Sequence, residues 1–141
     1  MVSNRVEVCR AGKTDPRAAA CCPVCSVPGL PVRPVTVAAL AVNGRLSGGR
    51  EAAEGWHLCL SRGCGVVYFG PEILRKEDVK VRVWFKETEE PIPVCYCRDV
   101  TQGDVLEHIV VRRCCDSLRD IQEHTGANTG RECATRNPAG A

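Results

Sequence analysis

The chain has 141 residues and a formal net charge of +2, with 26% charged and only 4% aromatic residues. Such a balanced charge is not typical of a nucleic-acid-binding protein, and no apolar run approaches the length of a membrane span. We therefore expect neither nucleic-acid binding nor membrane insertion. Eleven cysteines make up about 8% of the chain, a level that signals cross-links or metal coordination in place of a large core.

The first twenty residues contain no apolar segment of the kind found in secretory signals, so we expect a cytoplasmic protein. In a reducing compartment, clustered cysteines bind metal more often than they form disulfides, and an odd number of cysteines fits a disulfide framework poorly. Residues 1–20 are polar and irregular and are predicted to be a flexible arm. Cys9 and Cys21 lie in or beside this arm and are interpreted as spare thiols.

Residues 21–90 are predicted to form a small β domain. Four segments are rich in β-branched or aromatic residues, and the last of them alternates most clearly, with three valines and a phenylalanine on one face. A Gly-rich loop at 43–55 follows the first segment, and the acidic, proline-containing run at 87–93 is predicted to be an extended linker. The predicted strands are PVTVAALAV (34–42), GWHLCL (55–60), GVVYFG (65–70) and VKVRVWFKE (79–87).

Two short-spaced cysteine pairs lie in this domain, Cys22 with Cys25 and Cys59 with Cys64. A proline stiffens the first turn and two glycines permit positive φ in the second, so backbone amides can approach the sulfurs. Two such turns facing each other build a tetrahedral site of four cysteines, which suits a structural Zn²⁺ with no open ligand position. His57 is a competing ligand, but a lone histidine is more often a surface residue.

Residues 91–141 are predicted to form a short helical hairpin. Thr101 and Asp104 form a capping box ahead of apolar residues that follow helical spacing. A second short helix runs from Ser117 to Thr125 and stops at a glycine. Together with the preceding domain, this pattern predicts an α+β fold in which a small zinc-bound β domain is followed by a helical domain.

Cys95, Cys97 and Cys133 form a second group of cysteines. Cys95 and Cys97 are separated by one residue, so bond geometry nearly excludes a disulfide between them. These two precede the first helix and Cys133 follows the second. Because a hairpin returns on itself, all three thiols can converge. The arrangement suits a [2Fe–2S] cluster, and a second zinc ion is the structural alternative.

The segment CYCRDVTQGDVLEHI and the run HTGANTGREC resemble the [2Fe–2S] domain of bacterioferritin-associated ferredoxins. Over residues 22–140 the chain more specifically resembles the N-terminal part of CopZ-type copper chaperones, with CPVCS, CGVVYFG, EEPIPVCYC and TRNPAG at the corresponding places. The resemblance implies a zinc-binding β domain at 21–90 and a [2Fe–2S]-binding helical domain at 91–141. It assigns zinc to Cys22, Cys25, Cys59 and Cys64, and the cluster to Cys95, Cys97 and Cys133.

In that family a fourth cluster cysteine follows the NPxG turn, whereas this sequence stops at Ala141, directly after NPAG. The fourth ligand is missing from the sequence, so we expect a C-terminal truncation and a chain that takes up zinc but holds the cluster poorly. Cys114 and Cys115 lie at the far end of the hairpin, roughly 15 Å away by the rise of a ten-residue helix. They are interpreted as a turn thiol and a partly packed thiol and not as cluster ligands, with copper(I) capture as a lesser alternative.

The resemblance implies a cytoplasmic metal-binding and electron-transfer protein that supports copper handling, with zinc, a [2Fe–2S] cluster and copper as its metals. It would reduce Cu(II) or deliver copper to a partner such as a copper-transporting ATPase or a redox protein. The family's separate M-x-C-x-x-C loop is absent from the sequence, which counts against delivery by this chain alone. The alternative is an all-zinc protein-interaction module without redox activity. The three histidines are dispersed and no nucleophile motif is present, so a one-electron carrier is expected in place of an enzyme, with copper reduction left open.

Overall fold

The structure is a computed structural model that describes residues 20–46 and 53–140. Residues 1–19 of the predicted arm, which include Cys9, the centre of the Gly-rich loop and Ala141 lie outside the described residues. Within the two described ranges, no helix is long and apolar enough to cross a membrane.

The first half of the chain is built on a four-stranded antiparallel sheet of order β1–β2–β3–β4. The predicted strands at 55–60 and 65–70 are confirmed, although both are shorter than their segments. All four residues of β3 are buried, and Trp56, Leu58 and Tyr68 form the centre of the core with Leu74. The strands are β1 (Leu30–Pro31), β2 (His57–Leu58), β3 (Val66–Phe69) and β4 (Leu74–Arg75).

The predicted strand at 34–42 is wrong, because Pro34–Leu40 form a helix, α1. Pro34 lies in the first turn of this helix, where a missing N–H costs no hydrogen bond. Thr36, Val37 and Leu40 are buried and follow helical spacing. The β-branched residues therefore mark a buried helix face, and tertiary packing overrides their strand propensity.

The predicted strand at 79–87 is also wrong. Val79 makes a single bridge to Ala41, and the segment ends in a 3₁₀ turn at Trp84–Lys86. Val79 and Val83 are buried in the core. Val81 and Phe85 are partly buried and pack against the same core. The alternation therefore identified the inward side of the segment, although no strand ladder forms there.

The second half contains a two-stranded ribbon and the helical hairpin. The Thr101 hydroxyl accepts the N–H of Asp104, and Ser117 accepts that of Asp120, so both predicted helix caps are confirmed. Gly126 ends the second helix in a left-handed conformation, as expected. The elements are β5 (Pro93–Cys95), β6 (Val100–Thr101), α2 (Gln102–Leu106) with a π-helical turn (Glu107–Val111), α3 (Leu118–Thr125) and α4 (Cys133–Arg136).

The two halves pack against each other through the end of the described chain. Helix α4 lies against α1, where the Thr36 hydroxyl donates to the carbonyl of Ala134 at 2.7 Å. The buried Tyr68 hydroxyl donates to the carbonyl of Pro138 at 2.6 Å.

Cys21 is disulfide-bonded, so its interpretation as a spare thiol is wrong.

Candidate metal sites

Four cysteine thiols converge beside the sheet. Cys22 and Cys25 lie in the turn before β1, Cys59 follows β2 directly, and Cys64 comes shortly before β3. Their four sulfurs lie within 4.8 Å of one another, with Cys22–Cys64 at 3.9 Å and Cys25–Cys59 at 3.6 Å. Four sulfurs bound at 2.3 Å to one tetrahedral zinc would be about 3.8 Å apart, so this donor set fits Zn²⁺.

The surroundings of these thiols are apolar and closed. Three of the four cysteines are buried, and Val66 and Phe69 pack against them. His57 is not part of the thiol set. Its Nδ1 lies 3.0 Å from the carbonyl oxygen of Gly55, and its ring stacks on Phe69. A closed donor set without an open position is typical of a structural zinc site and not of a catalytic one.

Cys59 and Cys25, two of the four thiols, have pKa values shifted in opposite directions. Burial raises the pKa of Cys59 to about 12. Burial acts in the same direction on Cys25, but the N–H of Val27 and the neighbouring thiols outweigh it and lower the pKa of Cys25 to about 7. Zinc binds thiolates, so it must displace the protons that the buried thiols hold. Zinc retention should therefore fall as the pH is lowered.

Lys86 is a buried cation beside this site, and nothing in the sequence predicts its burial. Its side chain is only 4% exposed, and its Nζ donates to the carbonyls of Ser61 at 2.6 Å and Cys64 at 3.1 Å. Both carbonyls belong to the turn that carries the second cysteine pair. The ammonium thus fixes the turn, and its charge opposes the net negative charge of four thiolates around one Zn²⁺.

Lys86→Met should weaken zinc binding by about 10- to 100-fold, the range seen when outer partners of metal ligands are removed. Methionine fills similar space but leaves both carbonyls without their donor and removes the positive charge. Zinc affinity measured by chelator competition checks this, with Lys80→Met as the matched control, because Lys80 is exposed. Equal affinities for the two variants would contradict this role of Lys86.

The second group of cysteines lines one cavity. Cys97 Sγ lies 3.5 Å from Cys133 Sγ, and Cys95 Sγ accepts the backbone N–H of Asn128 at 3.4 Å. A cavity of about 240 Å³ has all three cysteines in its wall. The thiols lie where β5 leads towards α2 and where α4 begins, so the hairpin brings the two ends of the segment together.

Cys97 is held in place from several sides. The Arg136 guanidinium donates to the Cys97 carbonyl at 3.2 Å. Gly130 approaches so closely that a Cβ built on it would lie 2.4 Å from the Cβ of Cys97. Between the two cysteines of the C-x-C pair, the buried Tyr96 hydroxyl donates to the carbonyl of Arg82 and accepts the N–H of Trp84. The segment Cys95–Cys97 is therefore hydrogen-bonded both to α4 and to the first half of the chain.

Gly130→Ala should loosen any metal centre held by Cys97, because the added methyl group must displace the Cys97 side chain or its loop. We expect at least a tenfold loss of iron retention after anaerobic reconstitution, with zinc content unchanged. Gly63→Ala is the control, since a Cβ at that position meets nothing within 4 Å. Equal iron retention in both variants would show that the close approach at Gly130 is unimportant.

A third set of donors was not predicted as a site. His108, Cys114 and His124 bring their ligand atoms within 4.8 Å of one another in the helical hairpin. The three residues are spread over the hairpin without a metal-binding spacing, so only the tertiary structure reveals the set.

These observations define a thiolate metal-binding protein built from a small sheet and a helical hairpin. A family model described as a zinc-binding domain, that of CopZ, matches residues 19–80. Over 120 residues the chain is 38% identical to the copper chaperone CopZ of Archaeoglobus fulgidus. The matched region covers 84% of this chain and 55% of that protein. The X-ray structure of the Archaeoglobus fulgidus CopZ N-terminal domain has a TM-score of 0.71 and 38% identity, and covers 86% of this chain and 89% of that one.

The chain therefore belongs to the CopZ family and corresponds to its N-terminal region, as the sequence resemblance predicted. The match to the zinc-binding family model covers all four convergent cysteines of the first half. The chain spans about 55% of the length of the curated CopZ that it matches.

Proposed function

We infer that this chain is a metal-handling and electron-transfer module that supports copper chemistry. In this proposal zinc on Cys22, Cys25, Cys59 and Cys64 stabilises the first half. Cys95, Cys97 and Cys133 supply three ligands of a [2Fe–2S] cluster in the second half. The observation that carries the proposal is the cavity at the open end of the hairpin, whose wall contains three thiols.

The spacing of the three thiols favours a two-iron cluster over a second zinc ion. A single tetrahedral zinc would hold every pair of sulfurs about 3.8 Å apart. Cys97 and Cys133 have that separation, at 3.5 Å. The sulfur of Cys95 is farther away: among the described residues, the sulfurs of Cys95, Cys97 and Cys133 do not all lie within 4.8 Å of one another. Two irons that each take two ligands accommodate one close pair and a more distant thiol.

The residues around the cavity would bind the cluster and guide electron exchange. The N–H of Asn128 donates to Cys95 Sγ, and such hydrogen bonds to cluster sulfurs raise the reduction potential. On the other side of Cys97, a cavity of about 360 Å³ is lined by the exposed Arg98 and Arg131. Glu132 also lines this cavity, so the rim carries two positive charges and one negative charge, and this net positive rim suits an acidic surface of a redox partner. A bound [2Fe–2S] cluster supplies one electron at a time, which is what reduction of Cu(II) to Cu(I) requires.

Anaerobic reconstitution with iron and sulfide tests the proposal. A [2Fe–2S] cluster takes four ligands, and the described residues bring three thiols to the cavity, so the reconstitution is run with and without an added small thiol as the fourth ligand. With the added thiol we expect two irons and two acid-labile sulfides per chain, visible thiolate-to-iron absorption, and one zinc; without it we expect one zinc and a lower content of iron and sulfide that is lost in air. A colourless protein with no sulfide in both arms would overturn the cluster.

The second candidate function is the all-zinc interaction module. It predicts two zinc ions per chain in protein purified from zinc-supplemented medium, with the second ion on Cys97 and Cys133. The close separation of those two sulfurs is the observation that favours it. The same metal analysis separates the two candidates, because only the cluster contributes sulfide.

A further inference from the structure

A set of soft metal donors lies in the hairpin, outside both cysteine sites. Nδ1 of His108 lies 3.2 Å from Sγ of Cys114, and the donor atoms of these two residues and of His124 all lie within 4.8 Å of one another. The two imidazole rings are 5.7 Å apart between centroids. Donors at these separations can share one ion at about 2.0–2.3 Å from each.

The backbone is shaped so that these donors meet. After α2 the chain widens into the π-helical turn at Glu107–Val111, a feature that is rare and often found at functional sites. Arg113 then adopts a left-handed conformation with φ of 50°, which is uncommon for a residue other than glycine. The N–H of Cys114 donates to the carbonyl of His108 at 3.1 Å, so the chain turns back on itself. His124 comes from the last turn of α3.

We propose that His108, Cys114 and His124 form a surface copper(I) site. One thiolate and two imidazoles are donors that select copper or zinc and not hard cations. The set differs from the four-thiol zinc site in two ways that suit an exchangeable ion: it offers three donors, and Cys114 and His124 are exposed. The choice of copper over zinc rests on the proposed role in copper handling. The donor set itself does not depend on the cluster.

The site lies close to the proposed electron-transfer centre along the chain. His124 precedes Asn128 by four residues, and the N–H of Asn128 donates to Sγ of Cys95. Even a fully extended chain spans at most about 14 Å over four residues. The backbone of His124 therefore lies within about 14 Å of that of Asn128, and the exposed Cys114 and His124 leave a bound copper ion accessible to a partner.

Anaerobic titration of the zinc-loaded chain with copper(I), in competition with bathocuproine disulfonate, tests the site. We expect wild type to take one copper(I) that Cys114→Ser, His108→Gln and His124→Gln each hold at least tenfold more weakly. Arg119→Gln on the exposed surface of α3 is the control and should bind as wild type does. Zinc content and thermal stability, recorded for each variant, report whether the chain is still folded.

Copper K-edge absorption should show one sulfur and two nitrogen neighbours. The neighbouring Cys115 Sγ lies 3.7 Å from Cys114 Sγ and offers a dithiol alternative. Binding that is lost in Cys115→Ser but kept in His124→Gln would overturn the proposed set. Equal copper(I) uptake by wild type and Cys114→Ser, or a site already filled by zinc that copper(I) does not displace, would also overturn it. The titration is repeated in the Cys97→Ala background, which removes the close Cys97–Cys133 thiol pair as a competing copper(I) site, so its result is independent of whether the cluster forms.

Discussion

Cys59→Ser should release zinc and unfold the first half of the chain. Cys59 is fully buried, and its sulfur lies 3.6 Å from that of Cys25 in the four-thiol set. Structural zinc sites contribute about 10–16 kcal/mol of apparent binding free energy, which in small domains is also folding free energy. The free energy of unfolding of a whole domain is only about 5–15 kcal/mol. The binding free energy lost with this ion is of the same size, so the sheet should not stay folded without it.

Zinc analysis together with thermal unfolding followed by circular dichroism checks this result. We expect at least a tenfold loss of bound zinc and no cooperative transition from the sheet. Cys114→Ser is the matched control, because Cys114 is an exposed thiol outside the set. A Cys59→Ser protein that keeps its zinc and melts as wild type does would show that the four thiols do not hold the structural ion.

Cys97→Ala should abolish the cluster and leave the zinc site intact. Cys97 is buried, contacts Cys133 at 3.5 Å and lies in the wall of both cavities beside the proposed cluster. Removing its sulfur leaves at most two of the three thiols that the described residues provide. We expect iron and acid-labile sulfide to fall at least tenfold after anaerobic reconstitution, while zinc stays at one ion per chain.

Cys114→Ser again serves as the control and should reconstitute as wild type does. The metal balance separates this prediction from the all-zinc alternative. In that alternative, Cys97→Ala lowers zinc from two ions to one and changes no iron or sulfide. Unchanged iron and sulfide in Cys97→Ala would remove Cys97 from the ligand set.

Local signals in the sequence predicted local structure well. The capping residues Thr101 and Ser117 and the stop at Gly126 act within one helical turn, and all three are confirmed. The segments at 34–42 and 79–87 were misassigned because their β-branched residues report burial and not backbone conformation. In α1 that burial comes from the core residues of the sheet and from packing against α4, nearly a hundred residues later in the chain.

In the candidate sites, too, the sequence predicts the features that depend on local spacing and not those that depend on tertiary contacts. The cysteine pairs could be predicted because each spacing marks a turn, and the structure brings the two pairs in the first half together. Lys86 could not be predicted, since a lysine is normally exposed and its burial depends on carbonyls of a distant turn. Ile109 and Val110, two of the apolar residues at helical spacing after Thr101, are exposed, as is Leu118 in the second helix.

X-ray absorption at the zinc and iron edges of one anaerobically reconstituted sample tests the central claim most directly, namely that this chain holds a structural zinc and a separate two-iron cluster. We predict zinc with four sulfur neighbours, and iron with sulfur neighbours plus a second iron at short distance. Two zinc ions per chain, or iron without an iron neighbour, would contradict that claim.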